Sequence, residues 1–247
     1  MNRTLSEESF LLPKEATRFV LYQRTHLRSI GGGFVSYILD LISGGLSERF
    51  AVLLESNLRK EEIRKSLFAD VRSDFFEMQP YLPKRAGAIL DIGCGLGVID
   101  LFLNSHYRGT PMFYLVDRNQ VEKRIWYGYN RRGAFYNSLD LTRQILVDNG
   151  IEEKNIQIIV APENGVLSIE RPIDLCVSLR SLGFHYPIRS YIQSVKKALS
   201  PQGAMILDIR HGTDGQLELT NAFLDARIQP IKKTETSTRV IMMRTSI

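Results

Sequence analysis

Hydrophobic and polar positions divide the chain into two parts of different texture. From Phe34 to Leu58, apolar residues recur at gaps of three and four, and this spacing predicts helix. Gly44 and Gly45 break that stretch into two helices. Arg59 to Phe76 repeats the spacing with charged residues between, and two prolines follow it. We therefore predict an N-terminal helical cap or extension over residues 1–84.

From Ala86 onward, short apolar runs alternate with helical patterns, which predicts a parallel sheet covered by helices on both faces. The predicted strands are Ala88–Asp91, Met112–Asp117, Ile156–Val160, Ile173–Ser178 and Ala204–Ile209. The predicted helices between them are Val98–Ser105, Ser138–Asn149 and Ile188–Leu199. Ile228–Lys233 and Thr238–Arg244 resemble a terminal hairpin, so at least one edge strand should be antiparallel. This second unit spans residues 85–247.

The composition restricts the class of protein but does not indicate a function. The 247 residues are 44% hydrophobic and 24% charged, an ordinary globular balance that excludes a disordered chain. Two cysteines cannot form a disulfide framework and suggest a reducing compartment. The net charge of +5 weakly favours anionic partners. We find no export signal and no apolar stretch long enough to span a membrane, and we expect a cytoplasmic protein.

The sharpest motif is a glycine loop that follows the first predicted strand. Gly93, Gly95 and Gly97 separate that strand from a predicted helix, so free backbone N–H groups and positive φ angles are available to a ligand. A dinucleotide loop needs a small residue where Val98 stands, which argues against a pyrophosphate. Asp91 beside the turn suits a cationic group better than a phosphate. Glycines in a plain turn are the alternative.

A second acid, Asp117, ends the next predicted strand. It lies 20 residues after Gly97, where a carboxylate can accept both ribose hydroxyls of an adenosyl cofactor. The alternative is that Asp117 caps the N-terminus of a helix.

Together these residues resemble the class I S-adenosylmethionine-dependent methyltransferases. The resemblance rests on Asp91-x-Gly93-x-Gly95-x-Gly97, on Asp117, and on the segment Lys196-Lys-Ala-Leu-Ser-Pro-Gln-Gly203 before the fifth strand. It covers roughly residues 85–247. It implies an α/β fold, a Rossmann-like seven-stranded sheet that is mostly parallel with an antiparallel terminal hairpin, and S-adenosylmethionine as the cofactor.

The resemblance also implies roles for single residues. Asp91 and the glycines, with Cys94 among them, would surround the methionyl part of the cofactor, and Asp117 would bind its ribose. The residues implied near adenine are Arg118, Pro162 and Glu163, with Asn164 as a substitute for the last. Ser178 and Leu179 would form the floor near the reactive methyl group.

Acceptor chemistry is expected after the fourth strand, because ligands of open α/β sheets bind beyond the carboxyl ends of the strands. Arg180, His185 and Tyr186 lie close together there. Histidine titrates near neutral pH, which makes His185 our candidate for the general base, unless it caps a helix or packs under a loop. His211 is a second candidate. A Mg²⁺-assisted mechanism through Asp208 stays open, although we expect no bound metal.

Two further segments are candidates for acceptor binding. Aromatic and basic residues are concentrated between Lys123 and Tyr136, and Trp126, Tyr127 and Arg131 could bind a sugar or a phosphate-bearing carrier. A surface lid is the alternative. In the N-terminal part, Arg18, Arg24 and Arg28, with Tyr22 and His26 between them, could face the cleft, but a charged solvent-exposed face is the expectation we favour.

The sequence thus favours a methyltransferase that methylates a hydroxyl of a small molecule, sugar or glycan by direct displacement. An enzyme acting on RNA or protein is one alternative. A non-catalytic cofactor-binding interaction protein is another. Whether the chain forms a homodimer stays open.

Overall fold

The computed structural model describes residues 5–28, 46–119 and 137–244. Its helices are α1 Thr17–Gln23, α2 Leu46–Leu58, α3 Lys60–Met78, α4 Val98–His106, α5 Leu139–Asp148, α6 Ile192–Ala198 and α7 Gly215–Ala222. Its strands are β1 Ala88–Ile92, β2 Met112–Asp117, β3 Ile156–Val160, β4 Ile173–Ser178, β5 Leu199–Arg210, β6 Ala226–Lys233 and β7 Ser237–Arg244. Among these helices, none has the length and apolar composition that a membrane crossing requires.

The strands form one seven-stranded sheet in the order β3-β2-β1-β4-β5-β7-β6. The first five strands are parallel, while β7 pairs antiparallel with both β5 and β6. The predicted fold class is therefore confirmed, including the antiparallel terminal hairpin. All five residues of β1 are buried, as expected of a central strand covered on both faces.

The sheet has a topological switch point between β1 and β4. Chain order runs outward from β1 through β2 to β3, and β4 then returns to the other side of β1. The connections that leave β1 and β4 therefore diverge and open a crevice at the carboxyl ends of these strands. This crevice is where a ligand is expected.

The N-terminal helices share one hydrophobic core with the sheet. Phe68 and Phe75 on α3 pack against Phe102 on α4, with ring centroids 5.1 and 5.5 Å apart. At the C-terminal end of α5, Asn149 forms two hydrogen bonds of 2.8 Å with the backbone of Leu11. The N-terminal segment is thus packed onto the sheet unit at several places.

Two segments differ from the predicted elements. Ile188–Ser190 forms a separate 3-10 turn before α6, and β5 begins at Leu199, before Pro201. Helix α7 was not predicted: Gly215, Thr220 and Asn221 in its sequence GQLELTNA are weak helix formers, although the other five residues favour helix. It forms because Leu219 and Ala222 lie one turn apart and are both buried against the sheet unit.

Candidate functional site

The glycine loop adopts the backbone conformation that its glycines predict. Gly93, Gly95 and Gly97 have φ angles of 79°, 53° and 70°, which residues other than glycine rarely adopt. Gly97 is the residue before α4, and a Cβ there would lie 3.1 Å from the Leu146 side chain of α5. We therefore reassign Gly97 from an expected cofactor contact to a packing position between the loop and α5.

Asp117 fixes this loop from the end of β2. Its carboxylate accepts the backbone N–H of Gly95 at 2.8 Å, the backbone N–H of Arg118 at 2.7 Å and the side-chain amide of Asn137 at 3.1 Å. Burial raises the pKa of Asp117 to about 6, although these three donors oppose the shift. Asp117 is thus largely ionised at neutral pH, and it is hydrogen-bonded to the glycine loop.

Two cavities meet at the switch point, with volumes of about 500 and 360 Å³. This is the usual size range of small-molecule sites. Residues common to both are Gly93, Asp117, Ser181 and Tyr186. Of the predicted site residues, the larger cavity is also lined by Asp91, Cys94, Gly95, Leu179, Arg180 and His185, and the smaller one by Arg118, Pro162, Glu163 and Asn164.

Part of the larger cavity is strongly acidic. Asp91 on β1 is only 2% exposed, and Asp100 of α4 lies beside it, fully buried. Burial raises the pKa of Asp91 to about 7; its contact with Asp100 lowers it and the charge of Asp117 raises it. Burial, and then the charge of Asp91, raise the pKa of Asp100. Two buried carboxyl groups beside each other are stabilised by a shared proton or by a cation.

Ser178 lies beneath the cavity instead of on its surface. Its hydroxyl donates to the carbonyl of Ile92 at 2.6 Å and accepts the N–H of Leu182 at 2.9 Å, and the residue is fully buried. Through these two hydrogen bonds, the Ser178 hydroxyl joins the ends of β1 and β4. It is therefore not available to contact a cofactor. The expectation of a direct contact is corrected accordingly.

Arg180 joins the loop after β4 to the N-terminal helices. Its φ is 56°, its backbone N–H donates to Asp208 at 3.1 Å, and its guanidinium forms two bonds of 2.8 and 2.9 Å with Asp74 on α3. Asp74 also accepts from Arg239 at 3.0 Å, and Arg239 bonds to Asp208 at 2.8 Å. These four residues form an ion-pair network between α3, β5, β7 and the β4 loop, in which Asp74, Asp208 and Arg239 are buried and Arg180 is partly exposed.

The two histidine candidates for the general base lie in different places. His185 lines the larger cavity, and its ring packs edge-on against Phe184 at 4.9 Å. Burial, and then the positive charge of Arg210, lower the pKa of His185, so its ring is neutral at pH 7. His211 lies outside both cavities, where its ring bonds to the carbonyl of Glu235 at 3.1 Å and to the hydroxyl of Thr238 at 3.0 Å.

The Mg²⁺ alternative through Asp208 has no support in the geometry. Both oxygens of its carboxylate accept from Arg239, at 2.8 and 3.1 Å. Within residues 5–28, 46–119 and 137–244, no cluster of three or more acidic, histidine or cysteine side chains is suited to a metal ion.

The N-terminal part contributes seven residues to the larger cavity: Tyr22, Gln23, Arg24 and Thr25 around the end of α1, and Leu67, Val71 and Asp74 on α3. The Gln23 side-chain oxygen lies 3.0 Å from where a Cβ on Gly95 would stand, so the end of α1 covers the glycine loop. The solvent-exposed face that we favoured for the N-terminal cations is wrong for two of them: the side chains of Arg24 and Arg28 are 17% and 1% exposed.

Three predicted acceptor residues, Trp126, Tyr127 and Arg131, lie outside the described residues. Sequence reasoning also missed residues that the fold brings to the cavities, namely Asn137, Ser181, Tyr191 and Arg210. Tyr191 lines the smaller cavity, and its hydroxyl donates to the carbonyl of Pro162 at 3.0 Å. No local motif marks these four positions.

No protein-family model and no curated protein sequence matches this chain. Solved structures similar to it include the precorrin-6y C5,15-methyltransferase of Geobacter metallireducens, at 15% identity over 73% of this chain and 88% of that one, with a TM-score of 0.47. Another is the O-methyltransferase TomG of Streptomyces achromogenes in complex with S-adenosylmethionine, at 13% identity over 65% and 74%, with a TM-score of 0.46.

A third is the S-adenosylmethionine-dependent methyltransferase SibL in its apo form, at 15% identity, with 93% of this chain and 69% of that one covered and a TM-score of 0.49. These three solved structures are, by name, methyltransferases.

Proposed function

We propose that this protein is an S-adenosylmethionine-dependent methyltransferase that acts on a hydroxyl group of a small molecule, sugar or glycan. The observation that carries the proposal is the bond of 2.8 Å between the Asp117 carboxylate and the N–H of Gly95. It places an acid at the end of β2 against a glycine loop at the end of β1, where two cavities meet.

The residues of the site fit the charge of this cofactor. S-adenosylmethionine is cationic at its sulfonium and amino groups, and the larger cavity presents the buried carboxyl group of Asp91 and the half-buried one of Asp117. An adjacent cation would offset the desolvation that raises the pKa of both acids. A pyrophosphate at the same place would instead add negative charge to carboxylates that are already destabilised.

The smaller cavity fits the adenosine part. Ala161 and Pro162 after β3 provide an apolar surface, and Tyr191 fixes the backbone of Pro162 through its hydroxyl. Asp117 lines both cavities, so it would meet a ribose between them. Arg118 and Glu163 are the polar residues expected near the adenine edge.

When bound, the cofactor would supply an electrophilic methyl group. The task of the chain is then to hold the acceptor hydroxyl in line with it and to remove the hydroxyl proton. His185 can take that proton because its pKa is lowered and its ring is neutral at pH 7. Its Nδ1 is buried, which leaves Nε2 as the nitrogen expected to face the acceptor.

Calorimetry tests the cofactor assignment. We expect saturable binding of S-adenosylmethionine and little binding of NAD; tight binding of NAD alone would refute the assignment. A labelled-methyl screen against sugars, glycans, phenols, RNA and protein then tests the acceptor class. Transfer to RNA or protein alone would overturn the small-molecule assignment.

The role of His185 needs a matched control. We expect His185→Gln to lose turnover while it keeps cofactor affinity, because the amide cannot serve as a base at neutral pH. His211→Gln, outside both cavities, should retain turnover. Equal turnover of the two variants would remove His185 from the mechanism.

A further inference from the structure

We infer that the acceptor carries an oxyanion, a carboxylate or a phosphate, which Arg24, Arg180 and Arg210 bind in the larger cavity. This inference rests on the proposed methyl transfer and adds the chemical class of the acceptor. Three separate elements bring these cations to one cavity: the turn after α1, the loop after β4 and the end of β5.

Arg24 is the most informative of the three. Its side chain is only 17% exposed, yet among the described residues its guanidinium forms one hydrogen bond, to Asp70 at 3.1 Å. A guanidinium has five N–H donors, so the others are available to water or to a ligand. Because Arg24 lines the cavity, a bound oxyanion could accept hydrogen bonds from them.

Arg24 also lies close to a second cation. Burial lowers the pKa of Arg24, and the positive charge of Arg180 is the next cause of that shift. Asp74, the partner of Arg180, shares its carboxylate with Arg239, so it does not serve Arg180 alone. Two guanidinium groups that face one cavity and repel each other are stabilised by an anion between them.

Arg210 provides the third cation beside an aromatic surface. Its guanidinium lies over the Phe184 ring, 5.1 Å from the centroid, and its charge reaches the neighbouring His185. The proposed base therefore lies next to cationic groups. An acceptor that binds them through an oxyanion would bring a nearby hydroxyl towards His185.

The larger cavity thus carries both signs of charge. Asp91 and Asp117 suit a cation, whereas Arg24, Arg180 and Arg210 suit an anion. A cationic cofactor and an anionic acceptor would attract each other inside the cavity, where the surrounding protein screens charges less than water does. A neutral acceptor would leave Arg24 and Arg180 to serve only in their ion pairs with Asp70 and Asp74 on α3.

Binding of matched probes tests this inference. Benzoate and phenyl phosphate represent the two oxyanions, and benzamide is a neutral probe of nearly the same shape. In NMR titrations of the full chain at low salt, we expect one of the anions to bind at least about tenfold more tightly than benzamide. The better anion identifies the acceptor as a carboxylate or a phosphate. Equal binding of benzamide, or no binding of either anion, would overturn the inference.

Variants locate the binding site. Arg24→Gln and Arg210→Gln lie on different elements and should each weaken anion binding by about tenfold. Arg171→Gln is the matched control, because Arg171 is exposed and precedes β4, at the opposite end of that strand from the cavity. Unchanged affinity in both cavity variants, or equal loss in the control, would place the anion elsewhere and refute the inference.

Turnover and cofactor binding separate the two proposals. With labelled S-adenosylmethionine, hydroxybenzoates should be methylated with a lower KM than hydroxybenzamides, and Arg24→Gln should raise the KM for the hydroxybenzoates alone. Preference for the neutral compounds would refute the oxyanion. Failure of S-adenosylmethionine to bind in calorimetry would instead refute the proposed function, whatever the anions do.

Discussion

Ser181 occupies the space that a side chain on Gly93 would need. Its hydroxyl oxygen lies 2.0 Å, and its Cβ 2.3 Å, from the position of a Cβ on Gly93. Gly93 begins the turn after β1, while Ser181 belongs to the loop after β4 and accepts three backbone N–H groups through its carbonyl. The two loops that border the crevice are therefore in contact at a glycine.

This contact predicts that Gly93→Ala is strongly destabilising. The φ of 79° should cost about 1–2 kcal/mol for any side chain, and overpacking against Ser181 about 1–3 kcal/mol more. Gly212→Ala is the matched control: its φ is 72°, but nothing lies within 4 Å of the added Cβ. Chemical denaturation of both variants, and of Gly93→Ala with Ser181→Gly, measures the two costs. If the double variant recovers none of the loss, the steric explanation is wrong.

Asp117→Asn should weaken S-adenosylmethionine binding. Asp117 accepts three N–H groups, and an amide presents an N–H₂ donor to at least one of them. With loss of a charge-assisted bond worth about 1.5–3 kcal/mol, we expect roughly a tenfold to hundredfold lower affinity by calorimetry. Asp148→Asn, exposed at the end of α5, should bind as the unchanged protein does. Full affinity in Asp117→Asn would argue against a ribose contact.

The buried carboxyl pair predicts how stability and binding depend on pH. The folded pKa of Asp91 is raised from 3.8 to about 7, so the native state binds more protons than the unfolded chain in that window. Its contribution to stability is therefore complete below pH 4 and is lost as the pH rises through 7, by up to about 1.4 kcal/mol per pH unit. Cofactor affinity should change in the opposite direction, because the ionised carboxylate attracts the cation.

Asp91→Asn separates these two effects. It should stabilise the apoprotein at pH 8, where the wild type holds a buried charge, and should weaken cofactor binding at the same pH. Denaturation and calorimetry at pH 6 and pH 8 measure both. An Asp91→Asn apoprotein less stable than the wild type at pH 8, or a variant with undiminished cofactor affinity, would contradict this account of the carboxyl pair.

The ion-pair network predicts that Asp74 is needed to hold the N-terminal helices. Burial raises the pKa of Asp74, but its bonds to Arg180 and Arg239 prevail and lower it, so its contribution is present above pH 4 and is lost in acid. Asp74→Ala would leave Arg239, whose side chain is 5% exposed, with one carboxylate fewer, at a cost of about 3–5 kcal/mol.

Limited proteolysis and denaturation check that cost. Glu61→Ala, which removes an exposed carboxylate from the same helix, should leave both the unfolding midpoint and the cleavage pattern unchanged. Cleavage of Asp74→Ala should begin in residues 1–84. Equal stability of the two variants would mean that the network contributes no more than a surface pair.

The lowered pKa of His185 predicts the acid limb of the pH–rate profile. If His185 is the base, kcat should fall with decreasing pH only below the ordinary histidine value of 6.5, because burial and Arg210 disfavour its protonation. Arg210→Gln should move this limb upward. A limb that stays in place would show that another group controls it.

The sequence predicts helices, strands and loops well where all the residues that indicate them lie within one segment of the chain. Short apolar runs indicated the strands, and the strand–glycine–helix order located the loop of Gly93. Arg24 shows the limit of such reasoning: the charges around it belong to Arg180 and Asp70, which are distant in sequence and adjacent only after folding. Ser178 shows another limit, since a serine at a strand end has the same local pattern whether it binds a ligand or a backbone carbonyl.

The packing of Phe68 and Phe75 on Phe102 has a consequence for how a ligand acts at a distance. Phe102 lies on α4, whose first turn follows the glycine loop. A ligand that orders this loop therefore restrains α4, and with it the neighbouring aromatic rings of α3. Saturation with cofactor should slow amide hydrogen exchange along residues 60–78, although these residues need not touch the ligand.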